Sequence, residues 1–439
     1  MFCINRDMEL TPDLLARMID KFLLNEQPRL QKWKNYYDGR HAILNKSYAD
    51  ASKECNHIVT NYCKIITDTY SGYIAGKPVS YVSNSDIDDV QEVINYNDSN
   101  AEDMQWLTNA LIYHVAYELQ WIDKYSQIRY AQVSPLQGFA IYDNTLDSEL
   151  LYFVRWYNVD MFDDSNIYNV EVYSNQTVKT YEAFGLGGAL RLIKEEPHYF
   201  KDVPVSVFKL NESGDNIFNC IISMNDAYNE LQSSEIDDFN AWVDAYLTLT
   251  GVDAETEDIN AMKESRVLIL PSGAQAAWLT KNANDTQIVN LLENLKKNIF
   301  KVTACPDMAD ENFLAQSGTA LAYKLVGFEN VASGIVAQFT KALQRRIELI
   351  CNVLNLKASD AVWRDIGIRF VRNLPINLTE TIQLVNSLKG TVSDATLLAQ
   401  LPFIDDVQAE LEAVQKQKEA SMSLFSFETQ MSEDEADGE

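Results

Sequence analysis

Cys55, His57 and Cys63 stand close enough in the sequence to share a metal ion. A structural zinc takes four such ligands, normally as two closely spaced pairs, and no second pair occurs at that spacing. All six cysteines (Cys3, Cys55, Cys63, Cys220, Cys305, Cys351) lack a CxxC partner, which predicts free thiols rather than a disulfide framework. Gly72-Tyr-Ile-Ala-Gly76-Lys77-Pro78 has the outline of a phosphate loop. However, only Tyr73, Ile74 and Ala75 separate its glycines where four residues are needed, and proline replaces the hydroxyl that would hold magnesium. Gly185-Leu-Gly187-Gly188 lacks the dinucleotide spacing and reads as a turn. GxSxG, HExxH and DxDxDG are absent, and His41, His57, His114 and His198 form no triad-like pattern. No motif nominates one of the many acids as a general acid or base. The expectation is no catalytic residue, no cofactor and no metal.

Charge is more informative. The 439 residues carry 36 Lys+Arg against 64 Asp+Glu, a formal charge of −28, with 46% hydrophobic and 11% aromatic residues. That composition excludes a disordered chain and supplies a core for several domains. No apolar run approaches the ~18 residues of a membrane span, and Arg6, Asp7 and Glu9 interrupt the start where a secretory peptide needs apolar residues. A soluble protein working in a cytoplasm, without a membrane partner, is expected. From Leu210 to Met262 there is no Lys or Arg, while Glu212, Asp215, Asp226, Glu230, Glu235, Asp237, Asp238, Asp244, Asp253, Glu255, Glu257 and Asp258 all fall there. A second acidic run, SEDEADGE, ends the sequence and is polar enough to remain disordered. Such a surface does not hold nucleic acid by neutralising phosphates. It is either a solvated helix face, or a wall that repels a polyanion or receives a basic partner.

The elements that must position these charges can be read from periodicity. Thr11-Pro12-Asp13 is a helix start, continued by Leu14, Leu15, Met18, Ile19 and Phe22, with Pro28 interrupting or restarting it. Residues 56–74 have helical spacing, and another helix is expected over 100–119. From Trp121 to about Lys209 alternation predicts strands: Ile128/Tyr130, Ala140/Tyr142, Leu151/Phe153 and Val170/Val172. Residues 217–249 read as one long helix, 251–284 as an insert with VLILP (267–271) as its β-like core, and 286–303 as a second helix. Leu321, Leu325, Phe328, Ala332, Ile335, Phe339, Leu343, Ile347, Ile350 and Leu354 step by three and four along a much longer one. Lys324, Lys341, Arg345 and Arg346 on it read as solvated or paired with neighbours. Helices at 377–389 and 393–420 close the pattern, giving an α+β protein.

Collinear stretches resemble the portal proteins of tailed bacteriophages, in the branch common among siphophages of Gram-positive bacteria. They are KWKNYYDGRHAIL (32–44), NHIVTNYCKIITDTYSGYIAGKPVSY (56–81), YHVAYELQWIDKYSQIRYAQVSPLQGFAIYDN (113–144), FKDVPVSVFKLNE (200–212), PDMADENFLAQSGTALAYKLVGFEN (306–330) and LKGTVSDATLLAQLPFIDDVQAELE (388–412). The run Ser317-Gly318-x-Ala320-Leu321-x-Tyr323-Lys324 is the most diagnostic.

The resemblance implies the portal fold: an α+β wing, a two-helix stem, a small α/β clip, a long spine helix and a helical crown. The boundaries it implies are wing 1–216, stem helix 217–249, clip 250–285, second stem helix 286–305, tunnel loop 306–317, spine and wing strands 318–375, crown 376–425 and acidic tail 426–439. It implies a ring, dodecameric in most relatives, at one capsid vertex of the virion, assembled in the host cytoplasm. The ring passes double-stranded DNA during packaging and ejection. It also docks the terminase large subunit, the head-completion and adaptor proteins, and the major capsid and scaffolding proteins. Asp307, Met308, Asp310, Glu311 and Asn312 would form the tunnel loop facing DNA. Glu230, Glu235, Asp237, Asp238 and Asp244 would make the stem an acidic sleeve. Lys296, Lys297 and Lys301 would either pair with acids of a neighbouring subunit or form weak basic rings against phosphates. The other readings are a soluble carboxylate-dependent hydrolase and a non-channel virion scaffold or adaptor.

Overall fold

The computed structural model describes residues 2–48, 55–159, 166–243, 247–250, 275–278, 285–309, 318–355, 362–373 and 378–398, with scattered positions up to 417. They belong to two units, Met1–Asn373 and Leu374–Glu439. The first mixes helix and sheet, the α+β class expected.

Strand β1 (Phe2–Ile4) precedes helix α1 (Pro12–Lys21), which begins where the sequence indicates: the Thr11 hydroxyl accepts from the Leu14 amide at 3.4 Å. A π turn at Phe22–Glu26 leads to α2 (Gln27–Tyr37), so Pro28 sits in a first turn and restarts the helix. Helix α3 (Tyr62–Ala75) starts six residues later than the spacing suggests, capped by Asn61 accepting from the Lys64 amide at 2.9 Å. Residues 56–61 are not helical because their amides bond elsewhere, as described below. Gly76 ends α3 in a close approach: a Cβ there would lie 2.6 Å from Asn373 Nδ2, so this glycine is a packing requirement rather than a phosphate cradle.

Strand β2 (Ser80–Val82), α4 (Asp88–Tyr96) and α5 (Ser99–Tyr113) follow, then β3 (Val115–Ile122), β4 (Ile128–Val133), β5 (Gly138–Asp143), β6 (Leu150–Asn158), β7 (Ile167–Tyr173), β8 (Thr177–Phe184), β9 (Leu190–Pro197) and β10 (Val205–Lys209). They form a six-stranded sheet ordered β1-β5-β6-β7-β8-β9, antiparallel except where β1 joins β5, and a three-stranded sheet ordered β10-β3-β4. Gly185 and Gly187, both at positive φ, turn β8 into β9.

Helix α6 (Ile222–Val243) is shorter than the 217–249 span expected. Leu247-Thr-Leu-Thr250 alternates with period two and forms strand β11 (Leu247–Thr250), antiparallel to β12 (Gln275–Trp278). The VLILP segment lies outside the described residues. Helix α7 (Asp285–Val302) packs against α6, and α8 (Gly318–Leu354) extends over 37 residues, about 55 Å at 1.5 Å per residue. Strand β13 (Gly367–Arg369) pairs with β2. The second unit holds α9 (Leu378–Leu388) and α10 (Asp394–Leu398); positions 407, 410, 411 and 413–417 are helical again, so the expected 393–420 helix is interrupted rather than continuous. Among the described residues no helix is long and apolar enough to cross a membrane.

The core forms around α8. From Leu325 to Leu354 every apolar position of the predicted stripe is buried, with Phe339 stacked on Phe208 at 4.8 Å and edge-on to Trp106 at 5.7 Å. Of the two alternatives expected for Arg346, solvated or paired, the structure shows a paired side chain. It is fully buried, donating through Nε at 2.8 Å and Nη2 at 2.5 Å to the Glu118 carboxylate and through Nη1 at 2.5 Å to Asp103. Trp106 and Tyr130 cover its guanidinium at 5.0 and 4.5 Å. Burial pushes the carboxyls of Asp103 and Glu118 upward, and the same two carboxylates hold Arg346 charged. Arg345, one position round the helix, pairs with Asp202 and Glu348 nearer the surface.

Removing the cation would strand two buried carboxylates. Arg346→Met should therefore lower the unfolding free energy by about 3–5 kcal/mol, measured by urea denaturation. Lys341→Ala, at an exposed site of the same helix, should change it by less than about 0.5 kcal/mol.

Candidate nucleic-acid interface

The acid-rich segment is built on α6, and three sides of that helix do different work. One side grips the extended residues 56–62. Asn225 Oδ1 accepts from the Tyr62 amide (3.2 Å), Asn229 Oδ1 from Thr60 (2.9 Å), Ser233 Oγ from Ile58 (3.0 Å) and Asp237 Oδ1 from Asn56 (2.7 Å). Four helical residues rise about 6.0 Å, and two extended residues about 6.6 Å. A side chain at every fourth helix position therefore meets every second amide of a strand running the opposite way. Asn225, Asn229 and Ser233 are fully buried. The ladder satisfies amides that would otherwise lack partners and explains why 56–61 stays extended. Asn225 Nδ2 donates in return to the Thr60 carbonyl at 2.8 Å. Asn229 Nδ2 donates to His41 Nδ1 at 3.2 Å, which leaves His41 Nε2 as the proton-bearing nitrogen facing the Tyr36 carbonyl at 3.0 Å.

Several of the predicted channel acids are therefore held by their own chain. Asp237 accepts from Asn56 twice and from Tyr48 Oη at 2.9 Å, with Lys46 Nζ at 3.8 Å. Burial would raise its pKa, but these donors outweigh burial and hold it below its ordinary 3.8. Glu230 takes Lys46 Nζ at 2.9 Å while remaining half exposed, and Asp226 accepts from Tyr36 Oη at 2.8 Å. Glu235 has no ion-pair partner among the described residues, Asp238 is exposed, and Asp244 lies outside them. A second side of α6 packs on α7, where the Tyr62 ring meets Tyr228 at 5.1 Å and Phe300 at 5.8 Å.

The lysines of α7 divide unevenly. Lys296 pairs with Asp307 at 2.6 Å and Lys297 with Glu293 at 3.3 Å, both within this chain. Lys301 is exposed without an ion-pair partner among the described residues. Asp307 also accepts from the Ala309 amide at 3.1 Å, so it caps its turn and sits against α7 instead of projecting freely. Met308 is exposed. Asp310, Glu311 and Asn312 lie outside the described residues. Cys55 Sγ is 3.5 Å from His57 Nε2, whereas Cys63 is buried beside Asn225. Among the described residues no three metal-binding side chains converge.

The family model "Phage portal protein, SPP1 Gp6-like" matches residues 19–423. The chain belongs to this portal family. It is 21% identical over 413 residues to the portal protein of Clostridium phage phiCD119, covering 85% of this chain and 89% of that one. It is 20% identical over 434 residues to the portal protein of Bacillus phage SPP1, covering 93% and 84%.

In this portal chain, sequence reasoning found the acidic helix but missed the ladder. The signal was present as Asn225, Asn229, Ser233 and Asp237, a polar stripe of strict four-residue spacing. Because the Asp237 pKa is depressed in the fold, its contribution is fully present above the unfolded value and is lost as pH falls through the folded one. Asp237→Ala should thus lower the thermal midpoint at pH 5, and the gap from wild type should close as pH drops below 3.8. Circular-dichroism melts across that range would measure it, and a gap independent of pH would show that the carboxylate charge is not what grips residue 56.

Proposed function

We propose that this portal protein closes into a ring, dodecameric in the virion, whose axial hole passes double-stranded DNA into and out of the capsid. The observation that carries the reading is α6 itself: a helix within a stretch free of Lys and Arg that holds a dozen acids, its rotation fixed by the ladder. Duplex DNA carries one charge per ~1.7 Å. A sleeve of such acids holds the duplex off the wall, so movement in either direction meets no deep trap.

In this reading residues 1–216, the central part of α8 and the strand region near 361–373 form the wing, α6 and α7 the stem, and 250–285 the clip. Residues 306–317 form the tunnel loop and 376–425 the crown. The clip docks the terminase large subunit and later the head-completion proteins, while the wing and crown meet the major capsid and scaffolding proteins. The portal hydrolyses nothing, since the ATP-driven force belongs to the terminase. The Lys296–Asp307 pair ties the start of the tunnel loop to α7 and leaves Asp310 and Glu311 as its candidate DNA-facing acids.

Negative-stain electron microscopy with mass by light scattering tests the reading. A ring of about a dozen copies with an axial hole is expected from the symmetry such assemblies adopt, and a compact dimer or tetramer without a hole would sink it. Shortening 307–312 should leave rings intact while lowering the yield of DNA-filled heads in an infection assay. Normal packaging by that mutant would remove the loop from the channel.

A further inference from the structure

A single protomer leaves large apolar side chains uncovered on two surfaces. On one, Tyr323 (78% exposed) and Val326 of α8 and Val302 at the end of α7 all face solvent. The chain just past the end of α7 meets α8: a Cβ on Gly327 would lie 3.8 Å from Ala304 Cβ, and Tyr70 both donates to the Thr303 carbonyl at 2.7 Å and packs on Phe328. Lys301 and Lys324 flank this patch, exposed and without ion-pair partners among the described residues. On the other surface, Phe239 (68% exposed) and Ile236 stand beside Glu235 on α6. The remaining sides of α6 are taken by the ladder and by α7.

One surface is apolar with cations and the other apolar with acid, and both belong to the same chain. We propose that the α7–α8 patch of one copy seats on the exposed Phe239 face of α6 in the next, with Lys301 and Lys324 meeting Glu235. The contact rests on the ring reading and names its subunit interface. Two different patches joined head to tail generate a ring when the rotation closes. A chain of charge −28 repels its own copies, so the approach must be made where cations are locally in excess. This choice of a second copy over an unrelated acidic partner follows from the matching apolar and acidic face on α6.

The test is charge reversal in the full-length chain, read as assembled mass by light scattering, with circular dichroism reporting the fold. Wild type should assemble. Lys301→Glu with Lys324→Glu should keep the native spectrum and cut the assembled fraction at least tenfold. Adding Glu235→Lys to that double variant should restore assembly. A double variant that assembles like wild type overturns this contact and leaves the ring reading standing. A triple variant that stays unassembled overturns the pairing of these charges. A wild type that never forms rings overturns the ring reading and this contact with it.

Discussion

The commensurate pitch of a helix and an extended strand is the constraint on which the arm depends. Four residues of α6 advance nearly as far as two residues of the 56–62 segment, so Asn225, Asn229, Ser233 and Asp237 each find an amide. A small mismatch, about 0.6 Å per step, accumulates slowly enough for a few rungs and not for many. The ladder orients α6 about its own axis. Once that rotation is set, which acids are bound and which face outward follows without further instruction. An apolar contact could bury as much area, but it would fix rotation less sharply because dispersion has no preferred direction.

Arg346 plays the corresponding role for α8. A 37-residue helix packed only by apolar side chains could slide or rotate by a residue at modest cost, since cores tolerate repacking when volume is kept. A guanidinium held by Glu118 from β3 and Asp103 from α5, and covered by Trp106 and Tyr130, admits one register. Nearer the start of the same helix, Glu329 takes Arg372 at 2.8 Å and the Tyr73 hydroxyl. Burial there would raise the carboxyl, and these donors together with Ser333 hold it below its ordinary range instead. The long helix is thus tied to the body at two charged points separated by an apolar stretch.

What the sequence made legible was what local periodicity encodes. The α8 stripe, the Thr11 cap, the alternating strands and the acidic bias of α6 all depend on residues near one another in the chain. What stayed hidden depends on partners far away. Arg346 lies between Leu343 and Ile347 on the apolar face, so its position pointed inward, but nothing nearby named Glu118 or Asp103 as its counter-ions. Residues 56–61 have helical spacing, and only the α6 side chains explain why they remain extended. The expected 217–249 span overshoots α6 because Leu247-Thr-Leu-Thr250, with its period of two, pairs as a strand instead. In the arm, Lys296 and Lys297 found partners within reach along α7 or at its end, leaving Lys301 without one among the described residues.

That internal pairing bears on how copies of so acidic a chain would share the proposed ring. Lys46, Lys296, Lys297, Arg345, Arg346 and Arg372 are all committed to acids of their own chain. Each internal pair removes a cation that could have held a neighbour, while the surplus of carboxylates persists on the outside. At physiological ionic strength screening over about 8 Å suppresses the mutual repulsion of whole protomers but hardly weakens a pair in contact. Association is then decided by the few cations still exposed and the apolar side chains around them. In the proposed ring the same screening would leave an acidic wall effective at short range, where a duplex drifting toward it would meet fixed negative charge. A surface can in this way repel a polyanion along an axis and still accept its own kind at the side, provided the free cations and the free acids lie on different faces of the arm.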